Sequence, residues 1–268
     1  MSQKSIPSDL STFESLVEVV ATLRGPGGCP WDKEQTHQTL VKYSIEEVCE
    51  YIEAVEKKDT SLMKEELGDV LFQVILNSQI AKESGHFTVK DVIETLNKKM
   101  VSRHPHVFAD VKVGSADEVV KNWEQIKKKE KSGQKKVGFS LPPRLPSLHA
   151  AQKIGRKTEK TGFDWPHTDD VLKKVDEEIL EMKAEYNSWP ASKANEKFED
   201  EFGDVLFSLA QLARHLDLDA EQALRKANSR FEKRYFTMIE EVGDEETFKT
   251  LPPEEKENLW KRAKDKLK

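Results

Sequence analysis

The sequence predicts an all-α chain made of two tandem helical-bundle modules, and three observations predict it. Apolar residues recur at helical spacing rather than in alternation, as in Phe13, Leu16, Val17, Val20 and Leu23. Composition agrees: 34% charged, 8% aromatic, with 12 Gly and 11 Pro in 268 residues, suits solvated helices better than sheets. Third, a two-part acidic pattern occurs twice. Glu46-Glu47-Val48-Cys49-Glu50 precedes Glu65-Glu66-Leu67-Gly68-Asp69-Val70-Leu71-Phe72, and Glu177-Glu178-Ile179-Leu180-Glu181 precedes Glu201-Phe202-Gly203-Asp204-Val205-Leu206-Phe207. Glu178 follows Glu47 by 131 residues and Glu201 follows Glu66 by 135, so a repeated module is the economical reading.

The first helix opens with Ser11-x-x-Glu14 as a capping box and ends at Gly25-Pro26-Gly27-Gly28-Cys29-Pro30. Trp31 to His37 then leads to Ser44, a second N-cap candidate. In that reading Ser44-x-x-Glu47 is a capping box and Glu47 satisfies backbone donors, an alternative to any chemical role. A helix from about Thr60 to Ser84 carries Leu67, Val70, Leu71, Val74 and Ile75 as a core-facing stripe, with Glu66 and Asp69 at its margin. Thr88-x-x-Asp91 caps the next helix, which stops at His104-Pro105-His106, and Ser115-x-x-Glu118 starts another that runs into Lys127-Lys128-Lys129. Those lysines read as a solvated helix end.

Gly133, Gly138, Pro142, Pro143 and Pro146 mark a boundary, giving a helical module over 1–131, a linker over 132–146 and a second helical module over 147–268. In the second module helices from about Asp169 and Ser192 carry the acids, with a turn forced by Pro190 between them. Asp219-x-x-Gln222 caps a helix holding Lys226, Asn228 and Arg230, and a last amphipathic segment after Pro252-Pro253 contains Trp260.

With 49 Asp and Glu in the chain, roughly nine acidic i,i+3 pairs arise by chance, so one pair carries no weight and repetition carries the signal. Acids three apart on a helix share a face. Two helices folded back on each other would bring four carboxylates together, and like charges about 6 Å apart repel by about 3 kcal/mol at an effective dielectric near 20. A hard divalent cation turns that repulsion into binding, and Mg²⁺, which takes oxygen ligands and bridges to substrate phosphates, fits best. Cations on a neighbouring helix, Lys226 and Arg230, suit a polyphosphate.

A net charge of −6 gives no general drive toward nucleic acid or an anionic membrane, and neither is expected as a partner. Cys29 and Cys49 form no zinc or disulfide framework, and no signal core or membrane span is visible, so a reducing, cytoplasmic setting is expected. A di-iron bundle would need Glu-x-x-His on two acid-bearing helices, and Glu34-x-x-His37 and Glu83-x-x-His86 lie off them.

The stretch Gly28-Cys-Pro-Trp-Asp-Lys-Glu-Gln-Thr36, the paired acidic motifs, Arg103-His-Pro-His-Val-Phe108, Ala151-Gln-Lys-Ile154 and Gly162-Phe-Asp-Trp165 together resemble the two-domain MazG nucleoside triphosphate pyrophosphohydrolases. The resemblance runs from about residue 12 to 265. It implies MazG-like helical modules completed across a homodimer, and Mg²⁺-dependent cleavage of NTP and dNTP to NMP and pyrophosphate, with Mn²⁺ as a substitute. A house-cleaning role in the nucleotide pool comes with it; a non-catalytic scaffold and an enzyme confined to dUTP or a modified nucleotide are the alternatives.

Carried over by motif, the metal ligands are Glu178, Glu181, Glu201 and Asp204, with Glu47, Glu50, Glu66 and Asp69 in the first module. Lys174, Lys197, Lys226, Asn228, Arg230 and Trp260 contact the nucleotide; Glu178 or Glu177 orients the water, and Lys197 offsets charge in the transition state. The first module holds Thr95 where Lys226 has its counterpart, so its grip on phosphate is the weaker.

Overall fold

The computed structural model describes residues 6–130, 139, 141–187 and 196–268, with the side chains of residues 128 and 129 also outside the description. Helix is the only regular secondary structure among them, and the chain divides into two compact units, Met1–Gln134 and Lys135–Lys268.

Unit 1 contains α1 (Phe13–Arg24), α2 (Pro30–Glu34), α3 (His37–Lys57), α4 (Thr60–Glu83), α5 (Val89–Arg103), α6 (Pro105–Phe108) and α7 (Ala116–Glu130). Thr12 rather than Ser11 caps α1, its hydroxyl accepting from the Ser15 amide at 3.1 Å. The chain leaves α1 through a turn in which the Cys29 amide reaches back to the Leu23 carbonyl at 2.8 Å. A Cβ on Gly28 would lie 2.5 Å from the Thr22 carbonyl oxygen, which explains a glycine there. Arg24 closes this corner: it pairs with Glu83 at 2.7 Å and donates to the carbonyls of Asp32 and Gln35.

Helix α3 begins earlier than the Ser44 capping box predicts. Thr36 and Thr39 cap it reciprocally, at 2.9 and 3.2 Å, and Ser44 lies inside the helix with its hydroxyl turned back to the Leu40 carbonyl at 3.0 Å. Glu47 is therefore well inside α3 and caps nothing. A left-handed Lys58 (φ 57°) and Asp59, which caps α4 through the Ser61 and Leu62 amides, reverse the chain. His37 meets Asn77 at 2.8 Å and Ser44 meets Gln73 at 3.5 Å, so α3 and α4 run antiparallel. Val20, Leu40, Ile75, Leu76 and Ile80 form the core between α1, α3 and α4.

The proposed apolar stripe on α4 is only partly buried. Ile75 is buried, but Leu67, Leu71 and Val74 remain 49%, 38% and 44% exposed, because α3 and α1 together cover only one flank of that helix.

Unit 2 contains α8 (Ser147–Glu159), α9 (Thr168–Asn187), α10 (Glu196–His215), α11 (Ala220–Val242), α12 (Glu245–Thr250) and α13 (Pro253–Lys266). The expected Pro190 turn and the Ser192 helix start lie outside the described residues, as does most of the sequence-derived linker. Tyr186 near the end of α9 packs on Phe198 near the start of α10, ring centroids 6.2 Å apart, so this pair is an antiparallel hairpin as well. At Gly155, α8 passes so close to α10 that a Cβ would land on the Gln211 side chain and 2.6 Å from Arg214 Nε. Gln211 Nε2 donates to the Ala151 carbonyl at 2.8 Å across that contact. Met238, Phe248, Leu259 and Ala263 form a second core among α11, α12 and α13.

Candidate metal centre

Glu178 stands on α9, and Glu201 and Asp204 stand one turn apart on α10, the helix folded back against it. One carboxylate oxygen from each lies within 4.8 Å of the other two. Hydrophobic burial sets this convergence: Val175 and Val205 are buried on the same helices, and Glu178 is carried inward with them to 7% exposure. Burial pushes the Glu201 carboxyl above its usual range, and the carboxylates of Glu181, Glu178, Asp204 and Glu185 push it further in the same direction. The group holds like charges together at a cost, and a hard cation with oxygen preference is the ligand that removes it. The donor set fits Mg²⁺ or Mn²⁺ and offers neither the sulfur nor the imidazole that softer metals select.

Lys174, one turn before Glu178, sits at the edge of the group. Its ammonium lies 2.8 Å from an oxygen of Glu177 and 2.8 Å from one of Glu178, and these contacts hold it protonated far above the ordinary lysine range. Glu181 is exposed and outside the tight group, though its charge acts on Glu201. Lys197 is exposed on the first turn of α10, four residues before Glu201.

The other nucleotide candidates stand on α11 and α13. Lys226, Asn228 and Arg230 are exposed on α11, where Lys226 donates to Gln222 at 3.1 Å. Trp260 on α13 is half-buried against the Met238–Leu259 core, its ring 5.1 Å from that of Phe231 and 5.7 Å from the Arg234 guanidinium carbon. Arg234 belongs to the cationic run that the sequence places on this helix, whereas Phe231, the aromatic directly after Arg230, is not among the sequence candidates.

Unit 1 repeats the arrangement with Glu47 on α3 and Glu66 and Asp69 on α4, again within 4.8 Å of one another. Burial raises Glu66, and the Glu50, Asp69, Glu65 and Glu47 carboxylates add to it. Burial likewise raises Glu47, along with Asp69 and Glu50, against a lowering hydrogen bond from Gln73. Glu50, like Glu181, stands outside its tight group.

Comparison with known proteins adds a separate line. The family model of the MazG nucleotide pyrophosphohydrolase domain matches residues 35–108. The nucleoside triphosphate pyrophosphohydrolase/pyrophosphatase MazG of Thermotoga maritima is 44% identical over 255 residues, 94% of this chain and 95% of that protein. The nucleoside triphosphate pyrophosphohydrolase of Escherichia coli K12 is 40% identical over 262 residues, 95% of this chain and 98% of its own length. An uncharacterized protein of Bacillus subtilis is 44% identical over 266 residues, and there the similarity spans 53% of the longer relative.

Proposed function

We infer, from the premise that this chain belongs to the MazG family of nucleotide pyrophosphohydrolases, that it hydrolyses nucleoside triphosphates, NTP and dNTP alike, to the monophosphate and pyrophosphate with Mg²⁺, and that unit 2 carries the reaction. The observation that carries this reading is the Glu178, Glu201 and Asp204 group, three convergent carboxylate oxygens with an ammonium at their edge. A bound divalent cation supplies charge for the phosphate oxygens and acidifies a water molecule.

The remaining work falls to the chain's own side chains. Glu178, Glu201 and Asp204 hold the cation, with Glu181 in reserve at the next turn. Lys174 and Lys197, on the two acid-bearing helices, oppose the negative charge that builds on the leaving pyrophosphate. Lys226, Asn228 and Arg230 on α11 provide further donors for phosphate and sugar, and Trp260 offers a ring face for the base. Glu177 and Glu178 flank the same ammonium, and one of them orients the water. Unit 1 keeps the acids and lacks the lysine equivalent to Lys226, so turnover is assigned to unit 2.

A homodimer belongs to the same proposal. Leu67, Leu71 and Val74 in unit 1 and Phe202, Leu206 and Leu209 in unit 2 leave apolar flanks of the acid-bearing hairpins uncovered, which a second copy would bury. The setting proposed is the cytoplasm, where such an enzyme clears the nucleotide pool.

Glu201→Gln tests the assignment. Pyrophosphate release from a panel of NTP and dNTP in Mg²⁺ is expected to fall by about 100-fold or more, with the circular dichroism of a helical protein unchanged. Undiminished turnover by that variant overturns it.

A further inference from the structure

The two acid groups differ in one respect that their common pattern hides. In unit 2 a positive charge already sits on the group: the Lys174 ammonium is 2.8 Å from Glu178 and 2.8 Å from Glu177. The residue at the same register in unit 1, four before Glu47, is Tyr43. Its ring packs against the Val20, Leu40 and Ile75 core and edge-on to Trp31 at 5.7 Å. No ion pair among the described residues reaches Glu47, Glu66 or Asp69. Glu66 is 7% exposed, makes no hydrogen bond or ion pair among the described residues, and places an oxygen within 4.8 Å of those of Glu47 and Asp69. The groups nearest that carboxylate are other carboxylates, and a divalent cation is the ligand that offsets their mutual repulsion.

We propose that Lys174 is the built-in counter-ion of the unit 2 group, so that unit 2 takes up a divalent cation tightly only together with a triphosphate, whereas unit 1 takes up a divalent cation alone. This rests on the reading of both groups as cation sites and adds the order in which they fill.

The physical argument is one of exchange. A cation entering unit 2 must displace the ammonium from Glu178, giving up charge-assisted hydrogen bonds for its own contacts. A triphosphate offers that ammonium a new anionic partner, and the four-carbon stem, with the side chain 33% exposed, lets it turn away. Cation and triphosphate therefore favour each other's binding at unit 2, and by linkage the effect is equal in both directions. Among the described residues unit 1 has no ammonium on its acids to displace, so the triphosphate has none to draw away. Its ion is a resident one, and the unit 2 ion arrives with substrate.

The test uses the full-length protein with Mn²⁺ as the probe, read by electron paramagnetic resonance, without nucleotide and then with the non-hydrolysable α,β-methylene analogue of ATP. Glu66→Gln and Glu201→Gln assign each bound ion to its unit. Without nucleotide, the site lost in Glu66→Gln is expected to bind at least about tenfold more tightly than the site lost in Glu201→Gln. The analogue should tighten the unit 2 site alone. Lys174→Met should raise nucleotide-free affinity at unit 2 by about 10- to 100-fold and shrink the tightening that the analogue gives Mn²⁺ by a similar factor, while Lys174→Arg, which keeps the positive charge, should retain the parent's weak nucleotide-free binding and its response to the analogue. Tyr43→Lys should weaken unit 1 and make it respond to nucleotide. Equal nucleotide-free affinities at the two units, or a unit 2 site indifferent to Lys174→Met, would overturn the proposal while leaving the assignment of the reaction standing. Failure of unit 2 to bind Mn²⁺ even with the analogue present would overturn both.

Discussion

Arg214 is 8% exposed, and its guanidinium is anchored by Asp164 at 2.5 and 2.9 Å, Gln211 at 2.9 Å and Glu159 at 3.4 Å. Asp164 also meets His215 Nε2 at 3.2 Å. Burial alone would raise the Asp164 carboxyl, but the hydrogen bonds from Arg214 and His215 outweigh it and hold the group below its ordinary value of 3.8. A carboxyl depressed by folding stabilises the fold above the unfolded value and loses that contribution as pH falls through the folded one. Asp164→Asn is accordingly expected to lower stability by about 2–3 kcal/mol near neutral pH, with the melting curves of variant and parent converging below about pH 4. The sequence showed Gly162-Phe163-Asp164-Trp165 as a motif but not what Asp164 holds, because its partner lies 50 residues downstream. The i,i+3 spacing puts Glu201 and Asp204 on one face, but only the repeat of that spacing in the first module separates them from the acidic pairs expected by chance. Lys174 was read as a nucleotide contact; its i,i+4 relation to Glu178 was equally visible, and the ion pair there adds a role in the nucleotide-free state.

Helices α8 and α10 touch where Gly155 has no side chain, and the space belongs to Gln211 and Arg214. Gly155→Ala would force both polar side chains aside, and thermal unfolding is expected to show a loss of about 1–3 kcal/mol despite the higher helix propensity of alanine. Most elements are legible in the sequence: the Thr88 and Asp219 caps follow from local side-chain chemistry, α4 starts at Thr60 where it is expected, and the second module opens with a helix at Ser147 just past the Pro142–Pro146 boundary. The start of α3 was not. Ser-x-x-Glu at 44–47 imitates a cap, and only the structure shows the Ser44 hydroxyl spent on the preceding turn, with the Thr36–Thr39 pair doing the capping. The α4 stripe was over-assigned to the interior for a related reason. Periodicity identifies an apolar face without saying which neighbour covers it, and the described residues of unit 1 cover Leu67, Leu71 and Val74 only in part.

At the scale of the whole chain, the repeat was the most informative single feature, because it separated a chemical pattern from the background of acidic pairs expected in so charged a sequence. Aligning the copies also exposes their differences, Thr95 against Lys226 and Tyr43 against Lys174, but that the second of these puts an ammonium on the acids is visible only in the structure. Leu206→Lys and Leu71→Lys place a charge on the uncovered flanks, and if those flanks are where two copies meet, sedimentation equilibrium should show dimer affinity reduced by about 30-fold or more. An unchanged dimer would place the contact elsewhere. The hairpin character of α3–α4 and α9–α10 also bears on how the protein is made. Each set of three carboxylates comes from helices adjacent in sequence, with unit 1's complete once Asp69 has been added to the growing chain. Neighbours along the polymer find each other fastest, and amino-terminal segments have the first opportunity to fold during synthesis. The first acid pocket can therefore assemble on the nascent chain well before the ribosome has translated the second.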